Sequence, residues 1–479
     1  MGSPTGWRGV CAGLTLVLLG GLLAGCTDDG GSAGSPTTTA ADGPTKTELR
    51  DQGGAEGTTI NQGSTAFAQG MEALDSQGRR DFAVGNSFFN QNWVMAPSST
   101  VARDGLGPIF NAQSCSSCHF EDGRGQPPAD DTDPERGLLI RLSVLDDDGK
   151  PLPHPVYGSQ FQDRSIRKVP AEGSVEIDLT EKPGSYPDGT KYSLAAPTYR
   201  LVTPGGKEIT DIVVSPRVAP AMMGVGLLEN VPAAVIEAQA DPDDADGDGI
   251  SGRAHIVKDD KTGKEALGRF GWKAAVPTIR DQTTKAFAND IGITSDEVPD
   301  QPCTAAQAEC RDAPSGGEPE INADKVDKIE FYSRTLAVPA RRDVGKPVTA
   351  EGQAAFDQIG CASCHTSELE TGSDSEIDPL NDQVIRPYTD LLLHDMGTGL
   401  ADDRPDGDAS GTEWRTPPLW GIGLVETVND HTRFLHDGRA RSIEEAILWH
   451  GGEAEAAKER FKDLPAKERK AVLTFLESL

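Results

Sequence analysis

Two copies of the pattern Cys-x-x-Cys-His constrain this chain more than any other feature. They occupy 115–119 and 361–365 in a chain with only 8 Cys and 8 His among 479 residues. In this pattern two thiols bond to the vinyl groups of one haem, and the histidine coordinates its iron. A zinc site would require two further ligands at short spacing, and a thioredoxin-like site requires no histidine there. The sequence therefore predicts two covalently attached haem c groups, with His119 and His365 as proximal iron ligands. The attaching thiols would be those of Cys115, Cys118, Cys361 and Cys364.

The N-terminus has the features of an export signal. Arg8 precedes an apolar run over residues 10–23 that is too short to span a bilayer. Residues 23–26, Leu-Ala-Gly-Cys, are similar to the lipobox of bacterial lipoproteins, which implies cleavage before Cys26 and lipidation of its sulfur. An ordinary secretory signal is the alternative, and both place the protein outside the cytoplasm. We expect a signal peptide over residues 1–25 and an extracytoplasmic protein anchored to the membrane by lipid.

The charge balance restricts the choice of partner. The formal net charge is −31, from 45 basic against 76 acidic residues. This balance excludes nucleic acid as a partner. An acidic surface suits a solvated extracytoplasmic protein and would steer a basic redox partner toward it. We expect the electron donor to be a small redox protein or a membrane component.

One further pair of cysteines remains after haem attachment and lipidation. Cys303 and Cys310 lie seven residues apart in a stretch rich in Pro, Gln, Ala and Asp. In an oxidising compartment a local disulfide is the expected use of such a pair. A catalytic thiol pair is the alternative.

The second motif lies in a segment that has the plan of one small c-type cytochrome, residues 346–479. A helix predicted around residues 350–359 runs into the motif, and Pro465 marks the start of a C-terminal helix. The apolar stripe of that helix is Val472, Phe475, Leu476 and Leu479. We expect these two helices to pack across each other beside the haem.

An internal repeat predicts a second unit of the same kind. Ala221–Val231 matches Pro418–Val428 without gaps, and each copy follows a haem motif. The first unit would span residues 61–345 and carry an insertion around 121–214, whose strand-like runs are broken by Pro and Gly. Residues 26–60, rich in Gly, Ser, Thr, Asp and Ala, would form a flexible tether. The predicted fold class is mainly α, with two tandem cytochrome c-like units and a small β-rich insertion in the first.

Seven further segments resemble the bacterial di-haem oxidoreductases, a family related to the di-haem cytochrome c peroxidases and sometimes labelled thiol oxidoreductases. The segments are Gly105–Asn111, Ser215–Pro220, Asp246–Arg253, Gly268–Lys273, Pro387–Gly397, Glu413–Trp420 and Phe434–Arg439. The resemblance covers roughly residues 60–479, nearly all of the mature chain. It implies a protein that stores two electron equivalents and uses them in two-electron chemistry such as peroxide reduction.

The resemblance also implies roles for three residues. In the related peroxidases a Trp lies between the haems, and a Gln and an acid follow it in the peroxide pocket of the N-terminal haem. Trp272, Gln282 and Asp290 match that order, with Asp where the relatives have Glu. An amide and an acid beside an open iron would move a proton and support O–O cleavage. The alternative is that Trp272 packs in a core and that Gln282 and Asp290 cap a helix.

Two departures from the relatives concern the distal ligands. After the His-Asp-Gly segment the relatives carry a Met or Tyr ligand for the C-terminal haem, and this chain has His450 there. Met396 is the rival sixth ligand. The relatives also carry a switchable distal His soon after the first motif, whereas the next His here is His154, inside the insertion. The sequence therefore gives no support to activation by ligand release.

An Asp-rich segment suggests a cation site. Asp244, Asp246 and Asp248 alternate in the way that ligands do in the first half of an EF-hand loop. The resemblance implies a calcium ion near the haem interface. The twelfth position is His255 instead of Glu, and a solvated acidic turn is the alternative.

Three functions are compatible with these features. We favour a peroxidase-like oxidoreductase that reduces hydrogen peroxide with electrons passed between its two haems. The second is an electron-transfer lipoprotein in which both irons are six-coordinate. The third is oxidation of a thiol or protein substrate, which no sequence feature supports. The first two differ in whether one iron keeps an open coordination position.

Overall fold

The computed structural model describes residues 44–128 and 137–479. The expected signal peptide, Cys26 and the first part of the expected tether lie outside these residues. Residues 44–479 cluster as one unit. No helix within the two described ranges is long and apolar enough to cross a membrane.

Helices occur throughout this unit, and most of them are short. They are α1 (Lys46–Arg50), α2 (Gly54–Gly57), α3 (Ser76–Asn90), α4 (Val225–Glu229), α5 (Ala233–Glu237), α6 (Ile279–Ala286), α7 (Ala308–Arg311), α8 (Ala323–Arg334), α9 (Pro347–Gln358), α10 (Val425–Asn429), α11 (Ile443–Trp449), α12 (Glu455–Asp463) and α13 (Ala466–Ser478). A π-helical turn spans Phe287–Ile291. Both haem motifs begin with a 3-10 turn, at Cys115–Ser117 and Cys361–Ser363.

The strands are mostly two or three residues long. They are β1 (Thr58–Thr59), β2 (Ile109–Phe110), β3 (Leu138–Leu145), β4 (Pro151–Leu152), β5 (Gln160–Phe161), β6 (Arg164–Ser165), β7 (Ser174–Ser185), β8 (Lys191–Val202), β9 (Val213–Val218), β10 (Ile256–Lys258), β11 (Glu265–Leu267), β12 (Val338–Pro339), β13 (Leu369–Glu370), β14 (Val384–Ile385), β15 (Leu393–Asp395) and β16 (Glu413–Arg415).

The prediction of a mainly α fold is wrong. Helices hold 30% of the described residues and strands hold 19%, spread over many small sheets. Six of the sheets found among these residues have two strands, and one has four, in which β3 pairs with β4, β5 and β9. Composition provides the physical reason, because 54 Gly and 33 Pro interrupt helices and divide the intervening chain into turns and short strands.

Two pairs of helices nevertheless cross in the same way, each at a glycine. Helix α3 packs on α8, and α9 packs on α13. A Cβ atom at Gly85 of α3 would overlap the carbonyl oxygen of Lys328 in α8, and one at Gly352 of α9 would overlap that of Ala471 in α13. The backbones therefore approach so closely that only glycine fits at either crossing. The α9–α13 pair is the crossing expected from the sequence.

The rings that pack four residues further along each helix repeat the same arrangement. Phe89 packs against Tyr332 with ring centroids 5.3 Å apart, and Phe356 packs against Phe475 at 5.2 Å. These four rings are buried in the two helix crossings. The equivalence of positions supports two units of common plan.

The two copies of the internal repeat pack against each other. Gly224 and Gly421 both have a φ of 71°, in the left-handed region that favours glycine. A Cβ atom on Gly224 would overlap the ring of Trp420, and one on Gly421 would overlap the side chain of Met223. Met223 and Trp420 hold equivalent positions in the repeat, so the contact is reciprocal.

The insertion carries the longest strands and reaches the second unit. Strand β3 pairs antiparallel with β9, and β7 and β8 form a hairpin from Ser174↔Val202 to Ser185↔Lys191. The backbone N–H of Ala195 in β8 donates to Oε1 of Glu445 at 2.5 Å, and the hydroxyl of Tyr186 donates to Glu444 at 2.6 Å. The hairpin thus holds α11, the helix that ends at His450.

Part of the expected tether belongs to the folded unit. Residues 44–60 contain α1, α2 and β1, and β1 pairs in parallel with β12. The backbone N–H of Arg341 donates to the carbonyl oxygen of Arg50 at 2.8 Å. These contacts tie the segment to the chain between the two haem motifs.

The remaining cysteine pair is joined. Cys303 and Cys310 form a disulfide with an S–S distance of 2.00 Å and a Cα–Cα distance of 5.7 Å. Cys310 is buried, and both residues pack on the core that contains Trp93, Ile109 and Phe287. This core lies beneath the segment that enters the first haem motif.

Replacing Gly352 by Ala should destabilise the protein. Alanine favours a helix by about 1 kcal/mol over glycine, but its Cβ would overlap the Ala471 carbonyl oxygen. We expect the overlap to dominate and to lower the free energy of unfolding by about 1–3 kcal/mol. Circular dichroism of thermal unfolding measures the effect. Gly205→Ala is the control, because a Cβ there meets only the Thr203 hydroxyl at 4.0 Å. Equal midpoints for both variants would contradict the close crossing.

Candidate functional site

The histidine of the first motif is held by a backbone carbonyl. Nδ1 of His119 lies 2.7 Å from the carbonyl oxygen of Pro220. A carbonyl oxygen can only accept, so Nδ1 carries the proton and Nε2 keeps its lone pair for a metal. Burial lowers the pKa of His119 to about 4, which keeps the ring neutral. The ring also packs near Phe89, with centroids 6.1 Å apart.

The second motif repeats this arrangement with a different carbonyl. Nδ1 of His365 donates to the carbonyl oxygen of Tyr388 at 2.9 Å. Burial lowers the pKa of His365 to about 4 as well. The centroid of its ring lies 6.3 Å from that of Phe356, the equivalent of Phe89. Both motif histidines are therefore neutral imidazoles with Nε2 available, as haem ligation requires.

An apolar cavity of about 220 Å³ adjoins the second motif. Cys361, Cys364 and His365 line it, and so do both predicted candidates for a sixth ligand, His450 and Met396. Its walls are otherwise mostly aromatic and aliphatic side chains. An apolar cavity with two thiols and an available imidazole nitrogen fits a covalently attached haem.

His450 has the same preparation as the motif histidines. It terminates α11, and its Nδ1 donates to the carbonyl oxygen of Ala446 at 2.8 Å, which leaves Nε2 available. Burial lowers its pKa, so the ring is neutral. Its proximity also contributes to the lowered pKa of His365. Two neutral imidazoles thus share one cavity, which favours His450 over Met396.

His394 lines the same cavity but is committed to carboxylates. Its Nε2 lies 2.8 Å from Oδ2 of Asp390, and its Nδ1 lies 2.7 Å from Oε2 of Glu453. Burial lowers the pKa of His394, but the hydrogen bonds to the two carboxylates raise it by more. The pKa is therefore raised to about 12. A protonated imidazole with both nitrogens engaged is no metal ligand. His394 lies 3.6 Å from Sγ of Cys364 and was missed by the sequence analysis as a site residue.

Trp272 lies at the cavity of the second motif and contacts a residue that follows the first motif in the chain. It lines the cavity of the second motif, and its indole N–H donates to the carbonyl oxygen of Val218 at 2.8 Å. The guanidinium of Arg124, five residues beyond His119 in the chain, lies 5.5 Å from the centroid of its ring. Trp272 therefore connects the segment after the first motif with the cavity of the second.

Two further aromatic rings, those of His436 and Trp414, lie near Trp272. The ring of His436 stacks on Trp414 with centroids 3.8 Å apart and lies 6.5 Å from the ring of Trp272. All three rings line the cavity of the second motif. Both residues belong to segments that carry the family resemblance, but the sequence contained no signal that His436 and Trp414 stack.

Asp290 lies beside the first motif. Its carbonyl oxygen accepts from the backbone N–H groups of Asn111 and Ala112, at 2.8 and 2.9 Å, just before the motif begins. Its side-chain oxygen accepts from Nε2 of Gln160 at 2.8 Å. Burial raises the pKa of Asp290 to about 6, against the opposing effects of Gln160 and the positive charge of Arg141. The negative charge of Asp290 in turn acts on the motif thiols.

The amide beside Asp290 is not the one that the sequence suggested. Gln282 lies half-buried on α6, and within the described ranges no hydrogen bond joins its side chain to Asp290. Gln160 comes instead from β5 of the insertion and pairs across the sheet with Arg141 of β3. It precedes Asp290 by 130 residues, so only the tertiary structure shows this contact.

The next histidine after the first motif points elsewhere. Nδ1 of His154 accepts from the backbone N–H groups of Val156 and Tyr157 within its own turn, and its ring stacks on Tyr157 at 4.8 Å.

The Asp-rich loop brings together a different set of carboxylates from the one that the sequence suggested. The carboxylates brought within 4.8 Å of one another are those of Asp241, Asp244 and Asp246, and Asp248 instead lines the second cavity.

One protein family has a sequence model that matches this chain, described as "Di-haem oxidoreductase, putative peroxidase". The match covers residues 47–479, which includes both motifs and nearly all of the described residues. No curated protein matches the chain significantly. The matched family is the one that the sequence segments resemble, so that prediction is confirmed.

Proposed function

This chain belongs to the di-haem oxidoreductase family, and on that premise we propose that it reduces hydrogen peroxide to water with electrons passed between two covalently attached haems. The difference between the two motifs carries the proposal. The second shares its cavity with His450 and Met396. The first has Asp290 beside it, held by Gln160. One site is thus equipped to hold an iron from both sides, and the other to handle protons.

Proton transfer at the first site is the role of Asp290. Reduction of one hydrogen peroxide to two waters consumes two electrons and two protons. Each haem, when bound, supplies a one-electron couple, and an iron with an open coordination position supplies the place where the O–O bond is reduced. With a pKa of about 6, Asp290 is ionised at neutral pH and accepts the proton of one peroxide oxygen. It returns this proton to the departing oxygen, which leaves as water, and the two protons that the overall reduction consumes are taken up from solvent. Gln160 keeps the carboxyl in position.

The second site would hold the haem that stores electrons and passes them to the first. His365 and His450 would hold the iron of this haem, which would supply a one-electron couple there. Trp272 lines this cavity beside Arg124, a residue of the segment after the first motif, and would occupy the route toward the first site. Aromatic contacts at this position support electron transfer as its role.

Export and anchoring complete the proposal. The signal at residues 1–25 and the lipobox cysteine Cys26 support a lipoprotein outside the cytoplasm, where haem c is attached. A net charge of −31 supports a basic redox protein as the electron donor. Fractionation of cells tests the anchor, since Cys26→Ser should release the protein from the membrane fraction. Retention of that variant in the membrane fraction would contradict lipidation.

We also propose calcium binding at the Asp-rich loop. The carboxylates of Asp241, Asp244 and Asp246 lie within 4.8 Å of one another, which supports a hard cation with oxygen ligands. Calorimetric titration of the protein with Ca²⁺ is the test. Asp244→Asn should abolish the binding heat and Asp147→Asn, in an exposed turn, should not. If the unmodified protein does not bind Ca²⁺, the proposal is wrong and the loop is a solvated acidic turn.

Electron paramagnetic resonance should show one low-spin and one high-spin iron in the oxidised protein. His365 and His450 would make the second iron low-spin, and cyanide should convert only the high-spin signal of the first. Met396→Leu should leave both signals unchanged, whereas His450→Gly should remove the low-spin signal. Two low-spin signals that ignore cyanide and peroxide would show an electron carrier instead of a peroxidase. Mass spectrometry of the same samples should find haem on both cysteine pairs.

Replacing Asp290 by Asn should lower kcat/KM for hydrogen peroxide by about 10²–10⁴-fold, because the proton acceptor is lost. In the unmodified protein kcat/KM should fall as the pH drops below about 6, since the carboxylate becomes protonated. The variant should lack this dependence. Gln160→Leu should also slow the reaction, and Gln282→Leu serves as the control that leaves it unchanged. A lower kcat/KM in Gln282→Leu, with no change in Gln160→Leu, would instead identify Gln282 as the catalytic amide. Unchanged kinetics in Asp290→Asn would exclude the carboxyl from the reaction.

A further inference from the structure

Two guanidinium groups in the cavity of the second motif lack a carboxylate partner. Arg124 and Arg415 both line the cavity that contains Cys361, Cys364 and His365. Arg415 is only 7% exposed, and Nε of Arg124 is buried without a hydrogen-bond partner. None of the ion pairs formed within residues 44–128 and 137–479 includes either arginine.

Backbone carbonyls are the only hydrogen-bond acceptors that the described residues offer these groups. Nη2 of Arg124 donates to the carbonyl oxygen of Leu435 at 2.5 Å. Nε of Arg415 donates to that of Gly271 and Nη1 to that of Thr416, both at 3.1 Å. Carbonyls provide no opposite charge, and burial lowers the pKa of each guanidinium to about 10. Arg415 is buried and Arg124 is half-buried, and positive charges in such positions without a carboxylate partner are costly, which favours an anion in the cavity.

The acids that act on the two arginines, among the residues that the structure describes, form their ion pairs with other side chains. Asp437 influences Arg124 but is paired with Arg439 at 2.8 Å. Asp390 influences Arg415 but is paired with His394 at 2.8 Å. Within residues 44–128 and 137–479 no acid forms an ion pair with either arginine, and a group that occupies the cavity could supply the negative charge.

We propose that Arg124 and Arg415 bind the two propionate carboxylates of the second haem, at the end of the cavity beside Trp272. The proposal rests on the assignment of a covalent haem to Cys361, Cys364 and His365. A haem carries two carboxylates, which match two guanidinium charges, and a guanidinium can bind a carboxylate through two parallel charge-assisted hydrogen bonds.

The position of both arginines relative to Trp272 locates this end of the cavity. The backbone N–H of Arg415 donates to the carbonyl oxygen of Trp272 at 2.9 Å. The guanidinium of Arg124 lies 5.5 Å from the centroid of the Trp272 ring. Arg124 belongs to the segment after the first motif, so the first unit supplies one of the two charges that hold the haem of the second. The propionates would offset both positive charges next to the tryptophan.

A third arginine of the cavity provides the control. Arg460 also lines it, but it is exposed and lies against Gly360, next to Cys361. Water can solvate its charge, so it does not require an anion. Propionates bound at that end of the cavity would depend on Arg460 instead of Arg124 and Arg415.

The reduction potential of the second haem tests the proposal in the full-length protein. Removal of a buried positive charge beside a haem favours the oxidised iron, so Arg124→Gln and Arg415→Gln should each lower the potential. We expect the reduction equilibrium to change on the order of tenfold, which corresponds to about 59 mV for one electron. Arg460→Gln should leave the potential unchanged. Redox titration followed by optical and paramagnetic resonance spectra measures the second haem separately from the first.

Three outcomes would overturn the proposal. The first is an unchanged potential in both Gln variants, and the second is a shift in Arg460→Gln. If the Gln variants lose the second haem, the charge-conserving Arg124→Lys and Arg415→Lys decide. Retention of haem with a potential near that of the unmodified protein supports the proposal, and loss of haem in the Lys variants as well is the third contradicting outcome. Peptide mass spectrometry separates these results from a failure of the haem assignment itself, which would leave Cys361 and Cys364 without haem in the unmodified protein.

Discussion

The hydrogen bond from each motif histidine to a backbone carbonyl is the contact on which the rest of the site depends. It commits Nδ1 of His119 to Pro220 and Nδ1 of His365 to Tyr388, and so leaves each Nε2 available to a metal. Pro220 lies 101 residues after His119 and directly precedes the first copy of the repeat. The fold of a distant segment therefore orients the ligand, which links the packing of the repeats to the chemistry of the motif.

The two units have one plan and different surroundings. Each has a helix crossing at a glycine, an aromatic ring near the motif histidine and a copy of the repeat. Around the second motif the cavity wall contains His450, which is prepared as a ligand by the same kind of bond as His365. Around the first, the insertion brings Gln160 to Asp290. The two units thus share a similar scaffold, and the segments around each motif give the two sites different neighbours.

The cationic side chains around the second cavity fall into two groups, those paired with carboxylates and those that are not. His394 is held as a cation between two carboxylates, so its charge is compensated inside the protein. Arg124 and Arg415 are not compensated by any carboxylate in the described ranges, and their charge is left for the cavity to satisfy. A buried charge without a partner is unfavourable in the folded chain alone. This cost is the observation on which we base the proposed binding of the haem carboxylates there.

The sequence by itself determined the features that depend on short spacing. The two Cys-x-x-Cys-His motifs, the gapless repeat, the crossing of α9 and α13 and the family follow from residues close together or from patterns that recur. It was wrong about the fold class, because the frequent Gly and Pro residues divide the chain into turns and short strands that the helical periodicity near the second motif does not reveal. Only the tertiary structure decided that Gln160 accompanies Asp290 and that Arg124 enters the cavity of the second motif. Both contacts join residues more than a hundred positions apart in the chain, and long-range packing alone brings such residues together.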